Sequence, residues 1–157
     1  MIELSKRGYS SDDLVCSAFY ANSVNIVIGA GELLGKDVSG YRDLYARIVR
    51  AYKARFSKQL NTQTEKVLTL HFGLTDGSQR LADSLAAQIT ACGTKLQTGL
   101  VGTPYLLHEL SRYGHGDIAW SLLLRKEDKP RPCPAFRTTG FYAIPPAEVF
   151  CILFILA

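Results

Sequence analysis

Between residues 12 and 125 apolar side chains recur at spacings of three and four, the period of a helix with a buried face, and six such stretches follow one another. The first runs from about Asp12 to Leu34, with Leu14, Ala18, Ala21, Ile28 and Leu33 as candidate core positions. Ser11 or Asp12 can cap its start, and Gly35 can end it in a left-handed turn. Gly29 and Gly31 cost helix propensity, about 1 kcal/mol each against alanine, and suit the close approach of a neighbour. The second stretch, about Ser39 to Phe56, sets Tyr41, Leu44, Tyr45, Ile48, Val49, Tyr52 and Phe56 on one side and its arginines on the other, the pattern of a helix with one solvated face.

The third, about Thr62 to Phe72, is short and apolar through Val67, Leu68, Leu70 and Phe72, and ends at Gly73. The fourth, about Ser78 to Ala91, turns Leu81, Leu85 and Ile89 inward and stops at Gly93. The fifth is expected to start near Thr103-Pro104, where proline suits a first helical turn, and to reach Gly114 through Tyr105, Leu106, Leu107, Leu110 and Tyr113. The sixth, about Asp117 to Arg125, carries Ile118, Ala119, Leu122 and Leu123. The stretches starting near 12, 62 and 103 are rich in small and apolar residues, and the one near 39 is the most charged. This alternation predicts three helical hairpins, each with an inner and an outer member. The inner starts lie about fifty and then about forty residues apart, too irregular for tetratricopeptide or ankyrin arrays with periods near ~34 and ~33 residues.

After Glu127 the pattern stops. Pro130, Pro132, Pro134, Pro145 and Pro146 fall within seventeen residues, and the chain closes on nine apolar residues, Val149 to Ala157. That run is well short of the ~20 residues a membrane-spanning helix needs, and reads as a buried strand or a sticky edge. The organisation is therefore a helical unit over 1–127 and an irregular tail over 128–157.

Composition adds little to this picture. The 157 residues are 47% apolar and 20% charged, an ordinary balance for one domain with a core. The net charge of +4 gathers in one stretch, where Lys36, Arg42, Arg47, Arg50, Lys53, Arg55 and Lys58 face only Asp37 and Asp43, an excess of five. Such a run is the solvated side of an outer helix. A nucleic-acid binder working through residues 36–58 is disfavoured, because no aromatic residues interleave for base stacking. Cys16, Cys92, Cys133 and Cys151 are scattered without a C-x-x-C pair, so reduced thiols are expected and no zinc site. His71, His108 and His115 lack close ligand spacing and read as structural, so no metal and no cofactor are expected. Met1-Ile2-Glu3-Leu4 shows no basic then apolar leader, so no secretory signal is expected within these residues, and localisation stays open.

Four ordered segments carry a resemblance. They are Ser17-Ala-Phe-Tyr-Ala-Asn-Ser23 with Glu32-Leu-Leu-Gly-Lys36; Thr62-Gln-Thr-Glu-Lys-Val-Leu-Thr-Leu-His-Phe-Gly-Leu74; Thr98-Gly-Leu-Val-Gly-Thr-Pro-Tyr-Leu-Leu-His-Glu-Leu110; and Gly114-His-Gly-Asp-Ile-Ala-Trp-Ser-Leu-Leu-Leu124. Over about residues 12 to 127 the chain resembles the bacterial α-L-rhamnosidases of glycoside hydrolase family 78. The resemblance implies an all-α fold of three helical hairpins, about half of an (α/α)6 toroid, with the sugar pocket built by loops leading into the inner helices. It also implies hydrolysis of terminal α-L-rhamnose from a rhamnose-containing glycoside with inversion, which needs an acid and a base held ~6.5–9.5 Å apart.

The family's acid lies upstream of a Gly-Asp-Trp motif before the first helix seen here. Its base is a glutamate of a Thr-Ile-Trp-Glu-like motif after the sixth. Neither motif is in this chain, and Thr138-Thr139-Gly140-Phe141 is only a superficial echo. Glu65, in the first turn of the third helix, reads as a helix-dipole residue, and Glu109 as a partner of Arg112 three residues on. No residue is therefore assigned as catalytic.

Pocket-wall candidates remain at two helix starts: Gln63 and Thr64, with Thr62 or Thr64 as a possible cap, and a polar, flexible loop of Gln97, Thr98, Gly99, Gly102 and Thr103 that lets backbone approach a ligand. Tyr105 and His108 read as packing residues. The expectation is a fragment of a rhamnosidase-like glycoside hydrolase that is inactive alone, with a non-catalytic helical interaction or glycan-binding module as the alternative. The break at Glu127 points to a frameshift or a premature junction. Neither nucleic acid nor membrane is expected as a partner, and an open half-ring would expose inner-helix surface suited to self-association.

Overall fold

The computed structural model describes residues 10–125, and in them the chain forms six helices: α1 (Asp12–Leu33), α2 (Ser39–Phe56), α3 (Gln63–His71), α4 (Ser78–Ala91), α5 (Gly99–Arg112) and α6 (Gly116–Leu123). The tail expected over 128–157, and with it the frameshift reading, lies outside the described residues. No strand occurs among those described.

Each odd-numbered helix packs against its successor, α1 on α2, α3 on α4 and α5 on α6, and the odd-numbered helices pack side by side in the order α1, α3, α5. The three hairpins with α1, α3 and α5 as inner members are thus present as expected. One core joins them: Leu14 and Ala18 of α1, Tyr52 and Phe56 of α2, Val67, Leu68 and Leu70 of α3, Leu85 and Ile89 of α4, and Leu106 and Leu110 of α5 are all buried. A smaller cluster of Val24, Ile28 and Val38 closes the far end of the first hairpin. There a Cβ on Gly31 would lie 2.3 Å from the Val38 side chain, so only glycine lets the chain fold back so tightly. Gly29 has nothing within 4 Å, and the expected close contact is absent at that position. Gly35 ends the helix with φ +63°, the left-handed stop that its position predicted.

α3 is the middle of the molecule, with α1 on one flank, α5 on the other and α4 behind. Residues 63–70 are all buried, polar ones included. Every one of these polar side chains has a partner, as burial demands. Thr62 caps the helix from the Glu65 N–H, and Glu65 returns the bond by accepting from the Thr62 N–H at 2.9 Å, a complete capping box. Ser11, which precedes α1, makes no side-chain cap. Lys66 reaches Ser84 of α4 at 2.9 Å, and its burial pushes the ammonium below its usual range. Thr69 donates to the Glu65 carbonyl and meets the Tyr52 hydroxyl at 2.8 Å.

Burial pushes the Tyr52 phenol up to about 12, against 10.0 for a free tyrosine. The folded chain then keeps that proton between pH 10 and 12 while the unfolded chain releases it, so stability should fall as pH rises through this window and level off above it. A titration at 295 nm compared with Tyr52→Phe should show one late-ionising phenol and no such slope in the variant. Ionisation of Tyr52 near pH 10 would contradict the packing described.

Two differences from the expected boundaries matter for the site. α5 starts at Gly99, several residues before the predicted Thr103-Pro104, and Pro104 lies inside it. Proline there removes only the donor for the carbonyl of Leu100, which sits on the exposed outside of the helix start, so the extra turn survives. The cysteines also differ: Cys16 is a free, exposed thiol, but Cys92 is disulfide-bonded, which corrects the expectation of a reduced thiol there.

Candidate functional site

The N-terminal ends of α3 and α5 lie together, and all seven predicted wall residues meet there. Gln63 Nε2 donates to the Lys95 carbonyl at 3.1 Å while Gln63 Oε1 accepts from the Gln97 N–H at 2.9 Å. Thr64 Oγ1 donates to the Thr98 carbonyl at 2.7 Å. Thr98 Oγ1 lies 2.9 Å from Thr103 Oγ1, which itself donates to the Gly99 carbonyl. The donor order is thereby fixed, with Thr98 giving its proton to Thr103.

This geometry changes the reading of the loop. Gln97 and Thr98 are loop residues, but Gly99, Gly102 and Thr103 belong to the first turns of α5, so the expectation of a flexible polar loop across 97–103 is corrected. Gly102 serves helix packing: a Cβ there would meet Thr98 Cβ at 2.9 Å and Val67 Cγ1 at 3.2 Å, so α5 can approach α3 this closely only at a glycine. Gly99 adopts φ +57° where the loop turns into the helix. Gln63, Thr64, Thr98 and Thr103 are all buried, and their hydroxyl and amide groups are used to lock two neighbouring inner helices together. Beside the cluster Leu96 is exposed and Gln97 half-buried.

Of the two buried carboxylates, Glu65 has both oxygens bonded, whereas Glu109 bonds through Oε1 and its Oε2 is buried without a hydrogen-bond partner. Glu65 accepts from the backbone N–H groups of Ser11, Asn61 and Thr62, at 3.0, 2.9 and 2.9 Å. It does more than favour a helix dipole, since it ties the entry of α1 to the start of α3. Glu109, 2% exposed, makes the expected ion pair with Arg112 at 3.9 Å and a closer contact with His71 Nδ1 at 3.0 Å. The sequence reading missed this contact because His71 is remote in the chain; its only trace is a histidine ending one inner helix and a glutamate late in the next. His71 also stacks on Tyr105 with ring centroids 4.1 Å apart, so Tyr105 is a packing residue as expected. His108 is exposed, and its expected packing role is corrected, because its register turns it away from α3. His115 bonds Asp83 of α4 at 2.9 Å, and hydrogen bonds from Gln79 and His115 hold the Asp83 carboxyl below its usual range.

No group of three or more His, Cys, Asp or Glu is placed to hold a metal among the described residues. A cavity of about 290 Å³ opens between α2 and the α3–α4 turn, lined by Tyr52, Lys53, Ser57, Thr69, Thr75 and Asp76. It is walled by the far end of α3 and does not touch the Gln63–Thr103 cluster.

Three adjacent hairpins with their inner helices side by side, and with polar inner-helix starts gathered at one end, are half of an (α/α)6 toroid, an architecture in which glycosidases build a sugar pocket at one mouth of the ring. The model of the bacterial α-L-rhamnosidase 6 hairpin glycosidase domain matches residues 4–131, four residues past the expected boundary at Glu127. The chain belongs to this family. An α-L-rhamnosidase of Streptomyces avermitilis is 36% identical over 118 residues, covering 71% of this chain and 12% of the relative. One from Formosa agariphila is 29% identical over 132 residues, covering 78% and 14%. Among solved structures, the S. avermitilis α-L-rhamnosidase complexed with L-rhamnose superposes with a TM-score of 0.73 at 33% identity, covering 76% of this chain and 12% of that one. The chain thus spans between 12% and 14% of the length of these curated relatives.

Proposed function

We propose that this chain supplies part of the wall of a rhamnose pocket in a glycoside hydrolase of the α-L-rhamnosidase kind, and that it does not cleave glycosides by itself. The observation that carries the reading is the lock between the starts of α3 and α5, where Gln63, Thr64, Gln97, Thr98, Gly99, Gly102 and Thr103 come together. These residues fix the 95–99 segment beside the start of α5, with its Lys95, Thr98 and Gly99 carbonyls and Gln97 N–H used internally, and the half-buried Gln97 side-chain amide is a group there that can bond sugar hydroxyls. The structural relative is complexed with L-rhamnose, which supports a rhamnose-containing glycoside as the substrate class. Inverting hydrolysis needs two carboxyl groups, one free to give a proton and one to take it. Glu65 is held by three backbone N–H groups and Glu109 is buried against His71, so neither stands open to a substrate.

The purified chain should release p-nitrophenol from p-nitrophenyl α-L-rhamnoside no faster than a protein-free blank. Turnover clearly above that blank, lost on Glu65→Gln or Glu109→Gln, would overturn the inactive reading. The large apolar side chains left exposed on the first and third hairpins support self-association of the half-ring as well.

A further inference from the structure

The cavity of about 290 Å³ between α2 and the α3–α4 turn shares no residue with the Gln63–Thr103 cluster. Its walls come from the last turn of α2, the residues just after it, α3 and the turn that follows α3, all within residues 52–77. It lies at the seam between the first and second hairpins. The floor is a chain of hydroxyls with a fixed direction. Thr69 Oγ1 gives its one proton to the Glu65 carbonyl at 2.7 Å, so across the 2.8 Å contact with Tyr52 the phenol is the donor. The Tyr52 oxygen is then left to accept, in a side chain only 2% exposed.

The rim adds groups of complementary kind. Thr75 Oγ1 accepts from the Gly77 N–H at 3.2 Å and keeps its own proton to donate. Ser57 brings a hydroxyl that can do either. Lys53 Nζ donates to Asp76 Oδ1 at 2.6 Å, which sets an ammonium and a carboxylate side by side. Leu60 and Leu74 supply the apolar part of the wall.

These groups select a chemistry. The charge of Lys53 is matched by Asp76, so the rim favours neither a free anion nor a free cation. An adjacent carboxylate and ammonium can instead bond two neighbouring hydroxyls at once, the carboxylate accepting and the ammonium donating. A pyranose offers such neighbouring hydroxyls around its edge, and C–H groups on its face for the two leucines. The volume lies at the lower limit of the ~300–1,000 Å³ of ligand pockets, which suits one ring and not a chain.

We propose that this cavity is a second carbohydrate site, which takes one neutral pyranose unit between Tyr52, Lys53 and Asp76. Asp76 accepts from one ring hydroxyl, Lys53 donates to the next, and the Tyr52 oxygen accepts from a third that reaches the floor. The site stands apart from the pocket-wall reading and does not depend on it.

The test is a titration of the 157-residue chain followed by amide NMR, with methyl α-L-rhamnopyranoside, methyl α-D-glucopyranoside and sodium sulfate as separate probes. At least one of the two sugars should move the amides of 52–57 and 74–77 saturably. The expected Kd is on the order of 1 mM, the range open to a ligand of one ring. Asp76→Ala and Lys53→Met should each raise that Kd by about 10-fold, and Ser57→Ala by about 3-fold. The Asp76 side chain is 87% exposed and that of Lys53 31%, so both variants should keep the helical circular dichroism of the parent. Arg47→Ala, on the exposed side of α2, should leave the Kd unchanged. Absence of a saturable shift at these amides with either sugar would overturn the site. So would sulfate moving them as strongly, or an unchanged Kd in both Asp76→Ala and Lys53→Met. Shifts confined to 95–99 and lost in Gln97→Ala would overturn it while supporting the pocket wall, and shifts in both regions would support each separately.

Discussion

Truncating Leu68 to alanine should lower the unfolding free energy by about 3–5 kcal/mol, followed by urea denaturation with helical circular dichroism as the probe. Leu68 is 0% exposed and sits in the centre of α3, the one helix that touches all three hairpins through α1, α4 and α5. The cavity left there has walls from several helices, and each is held by other contacts, so the site collapses poorly and the cost sits at the upper end of the leucine range. Arg80→Ala, on an exposed position of the same hairpin, should change stability by less than about 0.5 kcal/mol. A loss of under about 1 kcal/mol for Leu68→Ala would mean that α3 is not the common core of the hairpins.

The hairpin order was legible because it is written in what each helix shows to water. α2 is the amphipathic extreme, with Tyr52 and Phe56 buried and Arg42, Arg47 and Arg50 exposed, and its position outside the row followed from that pattern alone. The apolar α1 could only be an inner helix. Boundaries marked by glycine also held, as at Gly35 and Gly114, because a left-handed φ is a local demand with one common answer. The start of α5 was misplaced for the opposite reason. Proline favours a first turn in isolation, but here Thr98 and Thr103 join across the turn and Gly102 packs on Val67, so long-range contacts carry the helix back to Gly99.

The site was legible as a set and illegible as an arrangement. Gln63, Thr64 and the residues of 97–103 stood out as polar groups at helix starts, and the fold does bring them together. Nothing in the hydrophobic pattern, however, distinguishes a threonine that faces a ligand from one that bonds the neighbouring loop, since both are small, polar and near a helix end. The same limit hid the contact between His71 and Glu109, which depends on the register of two helices 38 positions apart in the chain. In α3 periodicity revealed Val67, Leu68 and Leu70, but not that Gln63, Glu65, Lys66 and Thr69 would be as deeply buried. That burial arises from the position of α3 between two inner neighbours, a property of the ring and not of the segment.

The second large effect is expected at Glu65, the residue with the most backbone partners in the start of α3. Replacing it by alanine leaves the N–H groups of Ser11, Asn61 and Thr62 without their acceptor, all three in bonds that are at least partly buried. A lost cap alone costs about 1 kcal/mol, whereas hydrogen bonds to a charged group contribute about 1.5–3 kcal/mol and an orphaned buried donor adds its own desolvation. The expected loss is therefore about 3 kcal/mol, measured by urea denaturation. Glu65→Gln should recover little, because one amide position then presents N–H groups to N–H groups. Thr62→Ser, which keeps the cap hydroxyl, should lie within about 0.5 kcal/mol of the parent chain. Amide exchange separates a cap from a tie: protection should fall at Leu14 and Val15 in the first turn of α1 as well as in α3, since Glu65 is the residue that fixes Ser11 to the start of α3. Exchange altered in α3 alone would reduce Glu65 to an ordinary cap and free one of its oxygens for other chemistry. Exchange altered in both helices would hold the carboxylate in place by the same bonds that join the first two hairpins, and so keep it from acting as an acid or a base.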